Sequence, residues 1–93
     1  MITFQWDKNK EKLNIKKHKI SFEEAKSVFL DEEAKMIEDP DHSETEERFI
    51  LLGSSTNLNI LTVVHCFRHE NKIIRIISAR KANKKEENFY RGK

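Results

Sequence analysis

The chain has 93 residues, 37% apolar and 37% charged, with a net charge of +2, two glycines, one proline and a single cysteine, Cys66. That length suits one domain over 1–93 with a thin stability margin, and the composition excludes a linker, a collagen-like chain or a disulfide-stapled secreted scaffold. No stretch approaches the ~20 apolar residues of a membrane span, and Met1 to Trp6 lacks a signal-peptide-length apolar run, so a cytoplasmic protein with no membrane partner is expected.

Thr3 to Trp6 alternates and is rich in strand formers, which predicts a short first strand. Asp7 is placed to cap a helix over Lys8 to Lys17, whose apolar face is thin, Leu13 and Ile15, and whose polar side is almost all lysine. Ser21 with Glu24 forms a capping box for a second helix to about Leu30, with Phe22, Ala25, Val28 and Phe29 at helical spacing. Met36-Ile37 predicts a short strand, and the acidic run Glu38 to Glu44 a loop. Three strands follow, Arg48 to Gly53, Asn59 to Phe67 and Lys72 to Ala79, with connections short enough to require an antiparallel meander. Asn83 with Glu86 caps a last helix to about Arg91. The expected class is α+β: an antiparallel sheet with two N-terminal helices and one C-terminal helix.

The small net charge hides a partition. Asp7 to Lys19 holds six lysines against two acids, Asp31 to Glu47 nine acids against one lysine, and Arg68 to Lys93 nine bases against three acids. Two basic ends folded together would make the positive face of a nucleic-acid binder; charges balanced locally on a solvated surface are the plain alternative.

Arg75 interrupts an apolar strand. Either it pairs with a carboxylate such as Glu46 or Glu47, or it opens onto a cleft facing an anion. Arg80 ends the same strand and Arg68 the one before it, and three guanidiniums around one sheet could grip successive phosphates bidentately. His65, Cys66 and His69 are close in sequence, but His65 and Cys66 point to opposite faces of a strand. No zinc-type ligand spacing exists, so neither a metal nor a cofactor is expected, and Cys66 reads as a core residue. His18, beside lysines at a helix end, and His42, in the acidic loop, are each able to serve as general acid or base.

Taken together, the order Phe4-Gln5-Trp6-Asp7, Asn9-Lys10, Asn14, Lys17-His18, Ile20-Ser21-Phe22-Glu23-Glu24-Ala25, Val28-Phe29, Glu46-Glu47-Arg48-Phe49, Gly53, Arg75-Ile76-Ile77-Ser78-Ala79-Arg80-Lys81-Ala82, Glu86 and Tyr90 resembles the BrnT family of type II toxins. Two departures stand out: Lys19 where the family usually has glycine, and Cys66-Phe67 where a polar residue usually ends the strand. The resemblance implies a RelE-like ribonuclease fold and metal-independent RNA cleavage that inhibits translation. It also implies neutralisation by a BrnA-like ribbon-helix-helix antitoxin, with two toxins in the complex and operator DNA bound only through the antitoxin. In such a site Arg68, Arg75 and Arg80, assisted by Lys17, are candidates for phosphate stabilisation, and His18 and Tyr90 for proton transfer. A non-catalytic nucleic-acid binder and a protein-interaction domain are the alternatives that charge alone leaves open.

Overall fold

The computed structural model describes residues 2–40 and 47–93. Its strands are β1 (Thr3–Gln5), β2 (Lys35–Glu38), β3 (Phe49–Ser54), β4 (Ile60–Arg68) and β5 (Ile73–Lys81), in one sheet of order β1-β5-β4-β3-β2. Helices α1 (Lys8–His18) and α2 (Phe22–Ser27) connect β1 to β2, and α3 (Lys84–Tyr90) follows β5. The expected α+β class holds. β2 to β5 form the antiparallel meander that their short connections require. β1 instead joins β5 in parallel, Thr3 opposite Ile73 and Gln5 opposite Arg75, so the sheet is mixed.

Helix starts follow the caps read from sequence. Asp7 accepts from the N–H groups of Asn9 and Lys10, and Asn83 with Glu86 closes a full capping box. At α2 only half of the box forms. Ser21 accepts from Glu24 N, while the Glu24 carboxylate turns away to Ser55 Oγ (2.6 Å) and Asn59 Nδ2 (2.9 Å) of the β3–β4 loop. That helix also ends earlier than its apolar spacing suggests, tightening into a 3-10 turn over Val28–Leu30. Lys19 takes the left-handed conformation that glycine usually supplies, at φ 63°.

The core lies between α1, α2 and one face of the sheet: Ile20, Phe22, Ala25 and Val28 pack on Leu51, Leu61, Val63, Ile76 and Ala79. Gly53 permits the closest approach, because a Cβ there would meet Val28 Cγ1 at 2.8 Å.

α1 corrects the sequence reading. Its supposed apolar face is solvent-facing, with Leu13 67% and Ile15 42% exposed, and the buried residue is Asn14. β1 covers the edge of β5 only as far as Arg75. Beyond that point Asn14 stands in for a strand: its Oδ1 accepts from Ala79 N (3.1 Å), and its Nδ2 donates to Ala79 O (2.8 Å) and Ile20 O (2.9 Å). A helix docked on a strand edge must satisfy backbone polar groups before it can bury hydrocarbon, so the inward residue is an amide.

Candidate functional site

Cross-strand pairing fixes which face each side chain takes. In β4, His65 faces the helices, where its ring packs edge-on to Phe29 with centroids 4.9 Å apart. Leu61 and Val63 share that face, and Thr62, Val64, Cys66 and Arg68 take the other. Residues directly opposite share a face, and Thr62 pairs with Arg80, Val64 with Ser78 and Cys66 with Arg75. Arg68, Arg75 and Arg80 therefore project from one side of the sheet, away from α1 and α2. Arg75 and Arg80 are five residues apart, which in a regular strand would put them on opposite sides. The register between Val64 and His65 jumps from Ser78 to Ile76, leaving Ile77 bulged, and that extra residue restores Arg80 to the face of Arg75.

At the Arg80 end, α3 lies over this face. Arg80 donates from Nη1 and Nη2 to both carboxylate oxygens of Glu86, at 2.8 and 2.9 Å. Its hydrogen bond to Arg80, against partial burial, holds the Glu86 carboxyl below the usual range. The same Glu86 Oε1 accepts from Asn83 N and so closes the cap of α3. A strand end next to the Asn83 cap suggests a solvated, unengaged guanidinium; the structure instead shows a forked ion pair, with Arg80 still 41% exposed. Leu52 and Thr62 are buried at this end of the face.

At the Arg75 end the partner also differs from expectation. Arg75 Nη1 donates to Gln5 Oε1 at 3.3 Å, an amide on the neighbouring β1 rather than a carboxylate; Glu46, one of the carboxylates considered from sequence, lies outside the described residues. Nor is Arg75 deeply buried: although β5 is interior to the sheet, this side chain is half-buried, on the face turned away from α1 and α2. Arg68, opposite Ile73, is exposed at the end of β4.

The remaining candidates spread around these ends. Lys17 and His18 close α1 about one helical turn past Asn14, with His18 half-buried and Lys17 exposed. The Tyr90 hydroxyl donates to Asp31 Oδ2 at 2.6 Å, and this bond pushes its pKa up to about 12. Asp31 also accepts from Ser54 N and Glu33 N, so Tyr90 ties α3 to the start of the acidic segment. His65 is fully buried and paired opposite Ile76, Cys66 is buried on the other face, and His69 is exposed in the β4–β5 turn. Among the described residues no three potential ligands form a group able to hold a metal ion. His42 lies outside the described residues.

A family model for BrnT, the ribonuclease toxin of type II toxin–antitoxin systems, matches residues 6–86. The chain belongs to the BrnT family. The match includes Lys17, His18 and all three arginines as well as Glu86, and Tyr90 lies beyond it. Among solved structures, the chain is similar to the Brucella abortus ribonuclease toxin BrnT, with a TM-score of 0.68 at 23% identity over 90% of this chain and 100% of that one. A search of curated proteins found no match. Membership makes this a toxin-type ribonuclease fold with an antitoxin partner, and no helix among the described residues is long and apolar enough to cross a membrane.

Sequence reasoning counted Asn14 and Gln5 among the residues that carry the resemblance but gave neither a structural role. Asn14 anchors β5 one residue before Arg80, and Gln5 holds Arg75. An amide in mid-helix among lysines was the available signal for the first; nothing local marked the second, because the β1–β5 pairing joins residues 70 apart.

Proposed function

We propose that this BrnT-family chain cleaves RNA without a metal ion, using the arginine-bearing face of β4 and β5. The observation that carries the reading is the shared side of Arg68, Arg75 and Arg80, produced by the bulge at Ile77, on two strands that contain no acidic residue. The 2′-hydroxyl attacks the adjacent phosphorus as a base takes its proton, the P–O5′ bond breaks as an acid protonates the leaving oxygen, and a cyclic phosphate and a 5′-hydroxyl result. Guanidinium forks stabilise the charge of the phosphorane. Arg80, its fork exchanging Glu86 for the phosphate, is the group proposed for that task, with Lys17 assisting and His18 moving the proton from the β5 edge on which α1 docks. Tyr90 already gives its hydroxyl proton to Asp31 and its pKa is raised to about 12, so at neutral pH it is un-ionised and a weaker acid than a free phenol, and it would donate a proton only after release from Asp31. Cleavage of cellular RNA in the cytoplasm would inhibit translation. A BrnA-like ribbon-helix-helix antitoxin would neutralise the toxin by covering the basic face, and pairing of such antitoxins would place two toxins in the complex, with operator DNA contacted only through the antitoxin.

The test is cleavage of RNA by the purified chain in EDTA. Arg80→Ala is expected to slow it by ~10²–10³, as loss of an oxyanion donor does elsewhere, and Arg80→Lys to recover little. Arg80→Ala also breaks the partly exposed pair with Glu86, worth about 1 kcal/mol or less. Glu86→Gln breaks the same ion pair while keeping Arg80, so it should match the stability loss and retain cleavage. Cleavage abolished by EDTA and restored by a divalent ion, or a folded Arg80→Ala chain cutting at the wild-type rate, overturns the assignment.

A further inference from the structure

Arg75 and Arg80 share a face but not a position. Five residues at about 3.3 Å each, less part of one step at the bulge, separate their Cα atoms by roughly 13–16 Å. A stacked nucleic-acid strand advances about 3.4 Å per nucleotide, so the interval matches roughly four stacked nucleotides, and fewer in an extended strand. Neither guanidinium leans toward the other. Arg75 is held toward β1 by Gln5, and Arg80 toward α3 by both oxygens of Glu86. As held, they cannot grip one phosphate together.

The strip between them is suited to a polyanion passing over it. Ile77, Ser78 and Val64 are half-buried and neutral, and β4 and β5 contribute no acid. Asp7 senses Arg75 only weakly: its Oδ1 accepts from the N–H groups of Asn9 and Lys10, the main cause of its lowered pKa, with Arg75 a minor one. Gln5 engages Arg75 through its carbonyl oxygen at Nη1, so it sets the direction of the fork without neutralising its charge.

We infer that Arg75, oriented by Gln5, forms an anchoring subsite that binds a phosphate of the RNA at least two nucleotides from the bond broken at the Arg80 end. This rests on the ribonuclease reading above and divides the labour within it: Arg80 acts on the reacting phosphate, and Arg75 holds the strand in register. RNA longer than a dinucleotide is then the preferred substrate class, through binding rather than through the chemical step.

The experiment compares steady-state cleavage, by the full chain in EDTA, of a pool of ribodinucleotides and a pool of random ribohexanucleotides. Wild type is expected to show a KM at least tenfold lower for the hexamers. Arg75→Ala should shrink that ratio to within threefold, Gln5→Ala to an intermediate value, and Arg75→Lys should restore part of it, because a point charge still attracts a phosphate. Arg80→Ala should keep the ratio and lower kcat on both pools by one common factor. Lys85→Ala, which removes one charge from exposed α3, should keep the ratio and so exclude a general charge effect. A ratio unchanged by Arg75→Ala, or a kcat loss on dinucleotides equal to that of Arg80→Ala, overturns the subsite. If wild type cuts neither pool, the ribonuclease reading fails by itself. Binding then decides the subsite through anisotropy with 2′-deoxy dimers and hexamers: a length-dependent affinity lost in Arg75→Ala upholds it, and one retained refutes it.

Discussion

The two faces of the β4–β5 pair use the same eighteen residues for opposite purposes. Leu61, Val63, His65, Ile76 and Ala79 close against the helices and are almost wholly withdrawn from water. Arg68, Arg75, Ser78 and Arg80 face the other way and are exposed or half-buried. The first face is intolerant because its side chains interlock; on the second, Gln5 holds Arg75 and α3 holds Arg80. Stability and the proposed chemistry are thus separated by the thickness of one sheet, and substitutions on the two faces should have different consequences.

The sharpest test uses neighbours in one strand. Ile76→Ala removes most of a fully buried side chain and should cost about 2–5 kcal/mol of unfolding free energy, with cleavage per folded molecule retained. Deleting the very next residue, Ile77, should cost only about 1–3 kcal/mol. The bulge vanishes, Ile76 and Ala79 still face the helices, and Arg75 and Arg80 still share a side. Denaturant melts and a hydrogen-exchange map of β5 would check this. If the deletion unfolded the chain while Ile76→Ala did not, the sidedness derived from pairing would be wrong.

A smaller effect comes from the buried histidine of the packed face. Burial, against a weak contact with Val63 O, pushes the His65 pKa below its ordinary 6.5, so the folded chain keeps it neutral where the unfolded chain takes up a proton. Stability from this source is complete above about pH 6.5 and falls as pH drops below it, by up to ~1.4 kcal/mol per pH unit until the folded pKa is reached. Melting temperatures between pH 7 and pH 5 should decline in wild type and decline less in His65→Leu. An equal decline in both would assign the effect elsewhere.

The smallest effect is in the turn joining β4 to β5. Lys72 N donates to His69 O, and His69, Glu70 and Asn71 sit at φ 51°, 56° and 69°, three successive left-handed residues. Glutamate fits that conformation poorly, so Glu70→Gly should raise stability by about 0.5–1 kcal/mol without changing cleavage. A loss of stability on this change would mean that the turn relies on the Glu70 side chain.

Local chemistry was legible wherever it was enough to decide the outcome. The Asp7 and Asn83 caps, the meander and the opposed faces of His65 and Cys66 follow from hydrogen-bonding capacity and from the two-residue period of a strand. Where two distant segments compete for one group, the local rule gave way. Glu24 had a ready place in its own capping box, yet Ser55 and Asn59 drew it away. Arg80 shows the same at short range: a strand end leaves it toward solvent, but α3 turns back and sets Glu86, six residues on, against it.

The sequence by itself determined the class of fold, the family and the identities of the basic groups, because each is written in short-range spacing and order. Tertiary structure alone decided that β1 pairs with β5, that Asn14 replaces a missing strand along its edge, and that a single bulged residue brings Arg75 and Arg80 to one side. Those outcomes depend on which backbone edge lies open and which side chain reaches it first across the fold, and no local window of sequence contains either quantity.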